Sequence, residues 1–424
     1  MKTMLQTTLF LSILSVTATF AQKNRGIFGD NNWTENWTNY KPKSTSYRET
    51  EFILTGDIKT NTTLSRKNCY MLAGTVVVKA NATLTIEAGT VIRGDFASNG
   101  ALIIEAGAKI IAEGTETDPI VFTSNREASD RTPGDWGGIT LLGNAPINKL
   151  GGKDFFDLEN KYVFGGNDEA ESSGTLKFIR IEFAGKKLKN QIAFNALTFA
   201  GVGNGTIIEN IQTSFSASDG FAFLGGNIKV TKLISFKNYI HDFAFNCGTN
   251  TNISNSIAFR FPNYSDASVS NAFEIKSNDD INLTDFLKKP TTIKATNITI
   301  ISNDDQHQGI IKEAIFVGEN TNFTLTKTII HGFSPAIELD KKIKSEKLNN
   351  IVIQNVLFNQ CKDAIVFDKK DFSANLNDLY LAENFLNDLK SMDTSEFLTI
   401  PDFKSNSNFM LKLNTEKSTV TISQ

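Results

Sequence analysis

From about residue 51 the chain is written in short runs of alternating apolar and polar positions. They include Val76-Val77-Val78, Thr83-Leu84-Thr85-Ile86, Ala101-Leu102-Ile103-Ile104 and Ile120-Val121-Phe122. Gly, Asn and Ala-Gly turns separate them, as in Glu87-Ala88-Gly89 and Glu105-Ala106-Gly107. Period-two alternation of β-branched residues between such corners predicts strands rather than helices. In the second half a mark recurs: an apolar residue, a gap, Asn or Lys, a gap, an apolar residue, then a strand rich in Ala and Phe. The marked position falls at Asn210, Lys232, Asn255, Asn297, Lys327 and Asn355, in steps of 22, 23, 42, 30 and 28 residues. A unit of that size cannot bury its own apolar face and becomes stable by stacking on copies of itself. The pattern therefore predicts an all-β chain, a right-handed parallel β-helix (solenoid) with an N-terminal leader and a C-terminal cap. The steps read as one coil length with insertions.

Stacked coils set equivalent side chains about 4.8 Å apart, so like residues should form columns. Phe221 and Phe243, 22 residues apart, suit an aromatic column, and the marked Asn residues suit a column of amides bonded in sequence. About 12 coils would make a rod roughly 60 Å long. Its ends need covers. Residues 22–50, anchored by Trp33 and Trp37, are expected to pack on the first coil. Residues 51–370 form the β-helix and 371–424 the cap, within which 379–392 has a helix-compatible spacing of Leu and Phe.

Residues 1–21 begin with Lys2, continue through an apolar run at 9–18 and end in Thr19-Phe20-Ala21. This is the pattern of a secretory signal peptide. The run is too short to span a bilayer, and no later stretch reaches the roughly 20 apolar residues required, so no membrane span is expected. The first cysteine after the cut is Cys69, which argues against a lipid anchor. Cys69, Cys247 and Cys361 are odd in number and far apart, so stability must come from burial rather than a disulfide framework. Apolar residues supply it, at 40% of the sequence with 33 Phe. A net charge of -3 lacks the basic excess of a general nucleic-acid binder.

The block from Gly74-Thr75-Val76-Val77-Val78 through Thr90-Val91-Ile92-Arg93-Gly94 resembles the opening coils of a family of exported, repeat-built β-helix proteins of Bacteroidetes-type bacteria. So do Asp118-Pro119-Ile120-Val121-Phe122, Asp135-Trp136-Gly137-Gly138 and Phe164-Gly165-Gly166-Asn167-Asp168. The resemblance runs from about residue 51 to 245. It implies fold and export, and carries over no catalytic residues. Members often end in a small β-sandwich sorting domain; after the coils this chain is expected to have none.

Parallel β-helices also host polysaccharide lyases and glycosidases, so acidic clusters need weighing. Ser277-Asn278-Asp279-Asp280 and Ser302-Asn303-Asp304-Asp305 are 25 residues apart. The first follows a Phe-rich strand and the second a strand bearing the Asn/Lys mark, which places them at different corners. Asp168, Glu169 and Glu171 offer closely spaced oxygens for Ca²⁺; the alternative is a Gly-rich turn capped by acids. His241, His307 and His331 are too scattered for zinc. His241-Asp242 could be an acid/base pair or could satisfy a turn.

Two insertions, 276–292 and 340–350, both follow Phe/Ala strands and should emerge from one edge about one coil apart. They carry Lys276, Lys288 and Lys289, and Lys341, Lys342, Lys344 and Lys347. Loops gathered on one face of a repeat protein form a binding surface, or the lysines merely keep an edge soluble. The sequence thus points to an exported, non-catalytic β-helix that is secreted, periplasmic or at the cell surface and contacts glycan or serves adhesion. A polysaccharide lyase or glycosidase is the rival. Export should leave Gln22 as the first residue, which intact-mass measurement on protein from the native host checks; retention of residues 1–21 would sink the secretory reading.

Overall fold

A computed structural model describes residues 25–29, 31–156, 161–187, 194–266, 270–303, 313–368, 376–404 and 407–412. Two parallel sheets run its length, one of 15 strands and one of 11. The larger begins at Phe52–Leu54 and ends at Asp388–Lys390, with 12 strands on its main path; the smaller runs from Asp57–Ile58 to Ile365–Val366. Each strand pairs in register with the coil before and after it, as in Phe221↔Phe243↔Phe273. The β-helix expected from the repeat is the fold observed.

The Asn/Lys mark is the corner of the coil. Asn210, Lys232, Asn255, Asn297, Lys327 and Asn355 all have left-handed φ, between 49° and 56°, in the middle of long strands such as Asn250–Arg260. One left-handed residue turns the strand while its neighbours stay in the ladder. Asn tolerates this backbone best among residues with a side chain. Phe178, with φ 48°, holds the same corner one coil earlier.

Inside the helix the expected aromatic column forms. Phe221 and Phe243 stack with ring centroids 5.2 Å apart and planes 8° from parallel, and Phe273 continues the column at 5.0 Å. A second column joins Phe199, Phe223 and Phe245 at 5.1 and 4.9 Å. All three cysteines are free and buried.

Past the corner, strand residues alternate between this bore and a second apolar layer outside it. Ile234, Phe236, Ile257, Phe259, Ile329 and Leu357 face outward yet are buried. The leader and the C-terminal hairpin cover them. Successive leader residues each take a different coil: Arg25 Nε donates to Asn355 Oδ1 (2.7 Å), Gly26 N–H to Lys327 O (2.8 Å), Ile27 N–H to Thr299 Oγ1 (3.0 Å) and Phe28 N–H to Asn255 Oδ1 (2.8 Å). Gly26 is required there, because a Cβ would lie 2.7 Å from Ile329 Cδ1 and φ is +72°. Further on, Asn39 N–H reaches Gln212 and Tyr47 OH reaches Glu182. Tyr40 packs its ring against Phe236, Phe403 and Phe409.

Three expectations change. The leader runs lengthwise along the flank instead of sitting on the first coil, because outward apolar residues there need cover. The marked amides do not form an unbroken ladder: Lys232 and Lys327 interrupt the column, and the carboxamides of Asn255, Asn297 and Asn355 bond to the leader. Of the helix expected over 379–392 only the end of the short α-helix Leu376–Tyr380 and a 3-10 turn at Glu383–Phe385 form, and Asp388–Lys390 adds a rung beside Leu357–Asn359. Asn387 sets that rung, accepting from Val356 N–H and donating to Ile353 O.

Phe243→Asp should destabilise the protein by at least about 3–5 kcal/mol, through lost burial and an unpaired charge between the rings of Phe221 and Phe273. A urea melt matching that of the parent would remove Phe243 from the core.

Candidate functional site

Three insertions leave the smaller sheet at one corner. They follow Ile139–Leu142, Phe273–Ile275 and Ile337–Leu339. The first docks on the second: Lys149 and Thr284 form an antiparallel bridge, Asn148 Nδ2 donates to Ser277 O (2.8 Å), and Asp285 N–H donates to Asn148 O (2.8 Å). The two lysine loops stand two rungs apart, not one, because Ile315–Val317 lies between their strands. That coil turns tightly through Gly318, Glu319 and Asn320, so a trough about 10 Å wide opens between the loops.

The trough contains a cleft of about 270 Å³. Lys288 and Phe286 line one wall, Lys342, Lys344 and Lys347 the other, with Ser277, Thr321 and Asn322 between them. Among the described residues these four lysines have no carboxylate within 4.0 Å. Lys341 is exposed on the same loop outside the cleft lining. The other two lysines are neutralised: Lys276 Nζ is 2.5 Å from Glu274 and Lys289 Nζ is 3.2 Å from Glu169.

Asn148 also lines the cleft, and the loop-based expectation missed it. Its side chain is buried, with the amide nitrogen committed to Ser277 O and Oδ1 without a partner. Asp285 and Glu319, two further lining residues, were missed as well. The available signal was length: Lys177, beside the corner at Phe178, pairs with Glu113 one coil earlier and 64 residues back, which leaves room for an insertion at this edge. Phe in place of Asn or Lys at position 178 hid that coil.

Asp168, Glu169 and Glu171 do not converge. Asp168 accepts from Ala170 N–H, Glu169 pairs with Lys289, and Glu171 turns inward to Gly203 N–H (2.7 Å) and Ser173 Oγ (2.9 Å). Burial pushes the Glu171 carboxyl up despite those donors. Among the described residues no three His, Cys, Asp or Glu side chains gather closely enough to hold a metal ion. Asp279 accepts from Asn246 Nδ2 (2.6 Å), and Asp280 caps the turn Ile281–Leu283. Asp304, Asp305 and His307 lie outside the described residues.

His241 and Asp242 are adjacent in sequence but serve different partners. Asp242 turns to Ser235 Oγ and to Arg260 Nη1, 3.4 Å away. His241 Nδ1 accepts from Asn271 N–H, and Nε2 lies 3.2 Å from Glu274 Oε2. Burial alone would lower the imidazole, but Glu274 and Asp219 hold it above its ordinary value. Burial opposes ionisation of Glu274 too; His241 and Lys276 overcome this and hold it at about 2.

The molecule is thus a parallel β-helix with a cationic, amide-lined cleft built on one loop edge. A family model described as a pectate-lyase-like beta helix domain matches residues 56–396, and the chain belongs to that family. Neither the curated proteins nor the solved structures contain a match.

The His241–Glu274 pair makes a pH prediction. Glu274, depressed from 4.5 to about 2, contributes stability that is present above 4.5 and lost as pH falls toward 2. His241, raised from 6.5, contributes below 6.5 and loses its contribution as pH rises through its folded value. Glu274→Gln should therefore lower stability most between pH 4.5 and 6.5, by about 2–3 kcal/mol. Urea melts of both proteins over about pH 3–9 check this; a difference independent of pH would show the pair is not ionised.

Proposed function

We propose that the protein is an exported, non-catalytic β-helix that binds acidic glycan in the lysine cleft. The observation that carries the reading is the gathering of Lys288, Lys342, Lys344 and Lys347, none paired with a carboxylate among the described residues, around one cleft. The lysines match the carboxylate or sulfate groups of an acidic sugar, and Asn320, Asn322 and Asn350 line the same cleft with amides suited to its ring hydroxyls. The cleft volume is close to the lower end of small-molecule sites, about 300 Å³, which fits one or two sugar units of a longer chain.

Secretion rests on the pattern of residues 1–21. Among the described residues no helix is long and apolar enough to cross a membrane. A polysaccharide-cleaving reading draws on Asp285 and Glu319, which line the same cleft and could supply the carboxylate pair that glycoside hydrolysis needs.

Reversing Lys288, Lys342, Lys344 and Lys347 to Glu should abolish retention on an acidic glycan array, with the melting temperature nearly unchanged, since exposed charges contribute little to folding. Binding by the parent protein should weaken with salt, which screens exposed charges over about 8 Å at physiological strength. Binding that survives both treatments places the contact elsewhere. Release of reducing or unsaturated sugars that stops in Asp285→Asn or Glu319→Gln replaces the non-catalytic reading with an enzyme.

A further inference from the structure

The first coil leaves one end of the bore open. Its strands Phe52–Leu54, Asp57–Ile58 and Thr62–Leu64 pair with the second coil, and among the described residues no strand pairs with their outer edges. The far end is covered by the helix Leu376–Tyr380, whose Leu376 and Tyr380 join the core. At the open end Phe52 is 51% exposed beside Tyr70, and Leu54 and Ile58 are only half-buried against the core. The pairs to the second coil fix which backbone groups face outward. Leu54 O, Gly56 O, Ile58 O and Leu64 O accept from the N–H groups of Ala73, Val77, Lys79 and Glu87. Neighbouring residues of a strand turn their N–H and C=O to opposite edges, so those of Ile53, Asp57, Lys59 and Thr63 point away from the rod. An outer edge of this kind recruits another strand.

We propose that two copies of the chain pair head to head through their first coils, as a two-fold symmetric dimer. The coil is symmetric in sequence about Ile58: Phe52–Leu54 and Thr62–Leu64 lie at equal distances on either side of it. A two-fold axis through Ile58, across the rod, opposes the chain directions, so one antiparallel register serves all three sides. It sets Ile53 opposite Thr63 of the second copy and Asp57 opposite Lys59, the four residues whose backbone groups point outward. Inside, Phe52 meets Leu64, Leu54 meets Thr62 and Ile58 meets its own mate, so the two bores join. Charge selects the same register. Asp57 and Lys59, a loose pair 4.0 Å apart within one chain, each gain a partner of opposite sign across the axis. Glu49 falls opposite Lys67, while Arg48, Glu51 and Arg66 fall opposite Asn68, Ser65 and Thr50. No two like charges stand directly opposite. A single extended peptide would cover one side of the coil; a second copy covers all three.

The inference goes beyond glycan binding and does not depend on what the cleft holds. In analytical ultracentrifugation the mature protein should sediment as a dimer. Ile58→Cys should form a disulfide-linked dimer under mild oxidation, because the two positions meet on the axis as a non-hydrogen-bonded pair with Cα atoms about 4.5 Å apart. The native cysteines are buried and should leave the parent uncrosslinked. Thr63→Pro removes an outward N–H while sparing the ladder to the second coil, and should raise the dissociation constant at least about tenfold. Asp57→Lys should weaken the dimer several-fold, and Asp57→Lys/Lys59→Asp should restore it, because the exchange keeps opposite signs across the axis. A monomeric parent, a dimer that Thr63→Pro leaves intact, no cross-link at position 58, or a double variant no tighter than Asp57→Lys each overturns the proposal. A parent that dimerises only after removal of residues 413–424 assigns the open edge to that segment and overturns it too.

Discussion

One backbone conformation, repeated at one corner, governs the positions of everything else. A left-handed residue at 178, 210, 232, 255, 297, 327 and 355 bends each long strand at the same register, and in-register pairing then stacks each coil on the last. Asn occupies four of these seven places, where the left-handed region costs it least. Because the corner fixes register, residues before it alternate between bore and solvent and those beyond it alternate between bore and flank. An insertion at any other corner lengthens a coil without disturbing that alternation. This is how steps as different as 22 and 42 residues coexist in one regular rod.

The flank and the loop edge divide the remaining work. Outward Ile, Leu and Phe residues past the corner form a second apolar layer, and leader residues Ile27, Trp37 and Tyr40 together with Phe397, Leu398 and Phe409 cover it. The loops on the smaller sheet's edge are left without such cover. There the lysines stay free where their loops stand two rungs apart, and become paired where the first insertion brings Glu169 within reach. The cleft is therefore a consequence of spacing along the rod as much as of residue type.

The parts of this molecule legible in its sequence are those that repeat. The corner mark and the aromatic column could be read because each recurs at the coil period; the two lysine loops were found as insertions on one edge, but their spacing of two rungs was not. What resisted reading depends on direction rather than period. The second apolar layer was invisible because alternation identifies two faces without saying that both are buried, so the leader was expected at the rod's end. Glu171 lies two residues from Glu169, yet its carboxylate points into the turn at Gly203 while Glu169 reaches Lys289. Asn148 sits in an insertion whose coil carries Phe178 at the corner, outside the recurring mark.

A stack of coils is ordinarily a one-dimensional object, in which each unit senses only its neighbours and the ends fray independently. The leader changes that. Arg25 binds Asn355 and Asp388, 330 and 363 positions away, and the residues after it return coil by coil toward the beginning of the rod. The segment acts as a tie running along a column of blocks: loosening the last coil also releases the strand that holds the earlier ones. Contacts of such long sequence separation form slowly, so the part of this segment made first is seated only once the final coils exist. The rod thereby gains all-or-none cooperativity that its repeats alone would not give it.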